Sequence, residues 1–146
     1  MTKVRKVTSG VALATFAAAT VVAVTPATSH ADPAGHQVTY TVMSPNNLTA
    51  TVQYMNSDPP SQAAYNADSS KFMTNVQAPL SGGQPVVYST TLANPNQWAI
   101  VTASGILHWP DSGNGPASFH CEIAVDGQVV VKQDATSAVT CATRPW

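Results

Sequence analysis

Charge is scarce in this chain: Asp, Glu, Lys and Arg make up 9% of it, against about a quarter in an ordinary soluble domain. Three of its six basic residues, Lys3, Arg5 and Lys6, sit at the N-terminus, leaving only Lys71, Lys132 and Arg144 further on. That excludes the basic surface needed to hold a nucleic-acid backbone. There are two cysteines, too few for a thiolate metal site without histidines at ligand spacing. Glu122 and six scattered aspartates nominate no pair of carboxylates for glycoside hydrolysis. No stretch carries a helical period, a heptad or an internal repeat, and beyond the N-terminus no apolar run is long enough to span a bilayer.

What is present begins with a leader. Lys3, Arg5 and Lys6 precede an uncharged, largely apolar stretch over residues 7–27, and Ser29-His30-Ala31 offers small residues where a signal peptidase reads them. Residues 1–31 read as a cleavable secretory signal, cut between Ala31 and Asp32. A retained membrane anchor is the alternative. Against it, Thr8, Ser9, Gly10, Thr15, Thr20 and Thr25 dilute the apolar run and Pro26 breaks its end. Cleavage leaves residues 32–146 as a single domain, with three basic and seven acidic residues and a net charge of −4. An exported chain with two cysteines pairs them, so Cys121–Cys141 is expected as a disulfide.

The remainder reads as short strands. Residues 37–43 (QVTYTVM) alternate, with Val38, Tyr40 and Val42 on one face; residues 48–55 (LTATVQYM) alternate again across a Ser44-Pro45-Asn46-Asn47 turn. These two runs are expected to pair with each other. Residues 57–70 form a surface loop containing Pro59-Pro60, with room for one helical turn near Gln62 and Tyr65. Further strands follow at 71–78, ended by Pro79, at 86–93, and at 98–103 starting from Trp98. The last of these is expected to continue through residues 106–109 after a bend at Gly105. Residues 110–117 (PDSGNGPA) form a flexible loop. The pattern predicts an all-β fold, an antiparallel immunoglobulin-like β-sandwich of seven to eight strands with one disulfide.

Residues 119–141 organise this C-terminal half: a hairpin and a returning strand. Two turns compete at Asp126-Gly127. A two-residue loop sets Ile123 opposite Val130 and Glu122 opposite Val131, mixing a charge with apolar side chains. A three-residue loop, Val125-Asp126-Gly127, pairs Ile123 with Val129 and Cys121 with Val131 on one buried face, and the apolar pattern favours it.

Candidate chemistry collects around residues 108–122. A hydrolase would use His108 or His120 as base, Ser112 as nucleophile and Asp111 as orienter, but the nucleophile elbow such sites need is missing. A zinc site could draw on His108, His120 and Glu122. Alternation turns His120 and Glu122 outward, which makes a solvated face the plainer reading. Tyr40, Tyr54, Tyr65, Trp98, Trp109 and Trp146 are candidates for a ligand groove, though inward aromatics usually serve the core. Trp109 is the exception, since it stands beside Pro110 at a loop edge. Trp109, His108 and Asp111 are therefore the candidate binding residues, with no catalytic residue, metal or cofactor nominated.

Val38-Thr39-Tyr40-Thr41-Val42, Thr51-Val52-Gln53-Tyr54, the run Cys121-Glu122-Ile123-Ala124-Val125-Asp126-Gly127 and the closing Cys141 together resemble the extracytoplasmic domain of the MmpS family, small accessory proteins of mycobacteria. The resemblance implies a β-sandwich that is not an enzyme and that works beside lipid and siderophore exporters of the resistance-nodulation-division class. That family keeps its N-terminal membrane helix, whereas this leader looks cleavable. The expectation is a secreted, non-enzymatic relative that binds an envelope lipid, a small apolar ligand or a protein partner. The alternatives are an anchored exporter accessory and a small exported hydrolase.

Overall fold

The computed structural model describes residues 35–146. The leader and its cleavage point lie outside them. Eight strands build two four-stranded antiparallel sheets. One has the order β4-β1-β6-β7, from β1 (His36–Met43), β4 (Val86–Leu92), β6 (Ser118–Val125) and β7 (Gln128–Thr136). The other has the order β3-β2-β5-β8, from β2 (Leu48–Met55), β3 (Met73–Leu80), β5 (Ile100–Ser104) and β8 (Ala138–Ala142).

The expected alternation carries the core. Val38, Tyr40 and Val42 of β1 are fully buried beside Phe119, Cys121 and Ile123 of the neighbouring β6, in one core with Leu48, Ala50 and Val52 of β2 in the other sheet. The Tyr40 hydroxyl donates to the Met55 carbonyl at 2.9 Å, which satisfies the one polar atom this ring brings into the core. However, β1 and β2 do not pair with each other. They face one another from opposite sheets: β1 lies between β4 and β6, and β2 between β3 and β5. Ser44 sets up the crossing. Its buried hydroxyl donates to the Ser118 carbonyl at 2.6 Å, while Asn46 Oδ1 accepts from Ser118 N–H at 3.0 Å. The turn is thereby fixed to the start of β6 rather than folded back on β1.

Three other expectations change for local reasons. Pro79 lies inside β3, opposite Thr49, because β3 is an edge strand whose outer side needs no ladder donor. Trp98 ends a short helix, α2 (Pro95–Trp98), with Pro95 in its first turn, and β5 starts only at Ile100. The strand does not resume at 106–109. A Cβ on Gly105 would stand 2.5 Å from Leu48 Cδ1, so a larger residue where the chain leaves β5 would have to push that side chain aside. The Pro59-Pro60 loop includes the helix α1 (Gln62–Ala67), capped by the Ser61 hydroxyl, which accepts from Ala64 N–H at 3.1 Å. Asp58 fastens the loop by accepting from Ala93 and Asn94 N–H at 2.7 and 2.8 Å.

The hairpin takes the two-residue turn. Asp126 and Gly127 both have positive φ, 50° and 83°, as a type I′ turn requires, and Val125 pairs with Gln128. The three-residue loop is incorrect, yet the conflict that argued for it is real. It is resolved by a bulge further along: Ala124 faces Val129, Ile123 faces Val131, and Val130 is the extra residue. Glu122 thus meets Lys132 instead of a valine. Val129 is 54% exposed and only Val131 turns toward the core. The returning strand β8 crosses to the other sheet through Ser137, whose φ of 66° makes the corner. Ser137 N–H donates to the Ala117 carbonyl at 2.7 Å. The Cys121–Cys141 disulfide, with 6.0 Å between Cα atoms, therefore joins the two sheets.

Candidate functional site

The two ends of the sandwich differ in character. At the end where β1 finishes and β6 begins, residues 105–117 project as a loop. Leu107, 8% exposed, roots it in the core, and on either side Ile106 and Trp109 stand 72% and 88% exposed. The Trp109–Pro110 bond is cis, and the Asp111 and Ser112 N–H groups both donate to the His108 carbonyl, closing a turn that leads into a 3₁₀ helix over Asp111–Asn114. His108, Trp109 and Asp111 are thus brought onto one turn, all exposed. Two shallow clefts flank it. One of about 300 Å³ is lined by Ile106, Leu107, Ser112 and Pro116 among others, and one of about 190 Å³ by Pro45, Asn46, Asn47, Leu107, Asp111 and Asn114.

His120 does not join this loop. It lies on the outer face of the β4-β1-β6-β7 sheet, where Nε2 is 3.0 Å from Glu122 Oε1 and Nδ1 is 2.7 Å from Asp134 Oδ1. The hydrogen bond to Glu122 chiefly, with help from Asp134, holds its pKa above the ordinary 6.5, against a smaller downward pull from burial. The ring is 22% exposed, less solvated than a plain outward residue. Both nitrogens are occupied by carboxylates, so His120 is not poised as a base for Ser112. Among the described residues no three His, Cys, Asp or Glu side chains stand as a metal ion would need, and His108 and His120 do not meet. A shallow groove of about 370 Å³ beside His120 is lined by Pro45, Phe119, Ala135 and Thr136 among others.

At the opposite end three of the aromatic groove candidates meet in one cluster. Tyr65 of α1, Trp98 of α2 and Trp146 pack with ring centroids 5.0–6.1 Å apart. The Arg144 guanidinium sits 4.0 Å from the Trp146 ring centre and 5.2 Å from that of Trp98. Its Nε donates to the Gln97 carbonyl at 2.5 Å and a terminal nitrogen donates to Gln62 Oε1 at 2.6 Å. These residues come from three separate stretches. The sequence nominated these three rings among six, and gave no sign that they would meet or that Arg144 would join them.

An eight-stranded antiparallel sandwich with one inter-sheet disulfide, exposing an apolar loop at one end, defines a small β-sandwich domain protein. Residues 40–141 match the model of the Rv2576c beta-sandwich domain, and the chain belongs to that family. It is 60% identical over 146 residues to the uncharacterized protein Rv2576c of Mycobacterium tuberculosis H37Rv, covering 100% of this chain and 91% of that protein. It is equally similar to the uncharacterized protein Mb2606c of Mycobacterium bovis. This corrects the MmpS resemblance, and the exporter partnership it implied loses its basis. The residues that carried it are general. Val-Thr-Tyr-Thr-Val is what any strand with one buried face looks like, and the Val-Asp-Gly run is the chemistry of a two-residue turn.

Proposed function

We propose that this chain is an exported, non-enzymatic binding protein of the cell envelope or its exterior, holding an envelope lipid through Ile106 and Trp109. The observation behind the reading is the exposure of these two large apolar side chains, 72% and 88%, on a loop whose root is buried. An indole displayed in this way is suited to an interface that is apolar on one side and wet on the other. A disulfide between the sheets fits an oxidising compartment. The low charge and net acidity of residues 32–146 favour a neutral lipid surface over an anionic one.

Flotation with neutral phosphatidylcholine vesicles tests it. The protein of residues 32–146 is expected to float with the vesicles and to shift its tryptophan emission to the blue. Trp109→Ala and Ile106→Ser should each weaken this about tenfold, as loss of a largely buried apolar side chain implies. A wild-type protein that stays in the aqueous fraction, or variants that float like it, overturns the reading.

A further inference from the structure

We propose a second binding site, independent of the loop: the groove between the edges of β7 and β8 takes a small organic carboxylate with a compact apolar body. The groove has a volume of about 450 Å³ and is lined by Val131 and Gln133 of β7, Thr140 and Ala142 of β8, and Arg144 and Trp146. Its charged member is unusual for this molecule. Lys71 is 3.5 Å from Asp68, whereas neither Lys132 nor Arg144 has an ion pair among the described residues; Lys132 is exposed, and Arg144 is the one held part-buried by hydrogen bonds to Gln97 and Gln62. In a domain where acid outnumbers base, a half-buried guanidinium without a carboxylate is a position prepared for one supplied from outside.

The geometry also says how it would bind. Of the five guanidinium donors, one on Nε and one on a terminal nitrogen are spent on Gln97 and Gln62. Those bonds, and the rings of Trp98 and Trp146, hold the plane in place, so little side-chain freedom is left to lose when an anion docks. The remaining N–H groups are left for a carboxylate oxygen pair. Val131, Ala142 and Trp146 offer apolar surface for the body of the ligand, and Gln133 and Thr140 give polar groups at its rim. The two walls are tied close behind the groove by the Cys121–Cys141 disulfide, which links β8 to β6, the strand that β7 pairs with. Gln133 pairs with Cys121, and Thr140 and Ala142 flank Cys141, so the disulfide fixes the spacing between β7 and β8.

Benzoate is a suitable probe, with benzamide as its neutral isostere, read by amide and side-chain NMR shifts on residues 32–146. Benzoate should move the Val131, Gln133, Thr140 and Ala142 signals saturably, with benzamide at least about tenfold weaker, as expected for losing a charge-assisted hydrogen bond. Arg144→Gln should abolish the preference for the acid. Arg144→Lys keeps the charge but loses the planar fork and should bind at an intermediate level. Thr140→Val, on the exposed rim, leaves the Arg144 bonds intact and should weaken benzoate while the spectrum remains dispersed. Trp109→Ala should bind benzoate like the wild type, so failure here and failure of the lipid reading are separable. Equal shifts with benzoate and benzamide, or shifts elsewhere only, overturn the proposal.

Discussion

The two ends of this sandwich hold tryptophans in opposite situations. Trp98 is 3% exposed, enclosed by Tyr65, Trp146 and Arg144; Trp109 is 88% exposed and rests on nothing but its own loop. The same side chain serves cohesion at one end and display at the other. The surrounding sequence explains the difference. Trp98 closes a helical turn started by Pro95, and the Thr143 hydroxyl ties that turn down by donating to the Pro95 carbonyl at 2.6 Å. Trp109 is followed by Pro110 and a glycine-rich turn, in a segment that Gly105 releases from the sheet.

The sharpest way to break this contrast is to truncate both rings. Trp98→Ala should cost about 3–5 kcal/mol, the usual range for a buried tryptophan, whereas Trp109→Ala should stay within about 0.5 kcal/mol of the wild type. Urea denaturation followed by circular dichroism distinguishes them, and similar losses at both positions would end the comparison. Next in size is the disulfide. Replacing Cys121 and Cys141 together by Ala should cost roughly 3 kcal/mol in the chain-entropy model, and the loss should appear as an earlier urea midpoint. Because the bridge lies beside the groove that Arg144 occupies, the double variant should also blur the Gln133 and Thr140 signals more than those of Ile106 and Trp109.

The smallest effect concerns His120, which belongs to neither end. Its pKa is raised in the folded state, so its protonated form is favoured by folding. The stabilisation is complete below its ordinary value of 6.5 and is lost as pH rises through the higher folded value. Glu122 and Asp134 are the acids that face it, with Lys132 the nearby base. Glu122→Gln should bring the His120 titration, followed by ring-proton NMR, down toward 6.5 and flatten the pH dependence of stability above pH 6.5. An unmoved titration would mean that Asp134 alone sets it.

Much of the core was legible in sequence because burial of one strand face writes itself as alternation: Val38, Tyr40, Val42, Phe119, Cys121 and Ile123 all fall where the pattern puts them. Partnership is not written that way. Alternation in β1 and β2 says that each has a buried face, and the same pattern serves two strands paired edge to edge or facing across a core. The hairpin illustrates a second limit. The pattern detected that a plain two-residue turn left Glu122 opposite a valine, but a bulge can be placed at the turn or several residues away, and here it falls at Val130. The loop bearing Trp109 was readable because its signal is local. The Arg144 cluster was not, because it gathers residues 62, 65, 97, 98, 144 and 146, and only the finished fold brings them together.

The direction of β1 has a consequence for how the molecule can be presented. The strand enters beside the hairpin tip, where His36 Nδ1 is 2.6 Å from Asp126 Oδ2 and Gln37 N–H donates to Asp126 Oδ1 at 3.0 Å. It leaves at Met43, next to the turn whose Asn46 and Asn47 border the Trp109 loop. Eight extended residues put roughly 25 Å between those points. A linker, a bead or a neighbouring domain attached ahead of His36 therefore grips the sandwich by its handle and holds Ile106 and Trp109 outward at the far tip. Immobilisation through the N-terminal side should leave lipid capture intact, while attachment through residues 112–114 should block it.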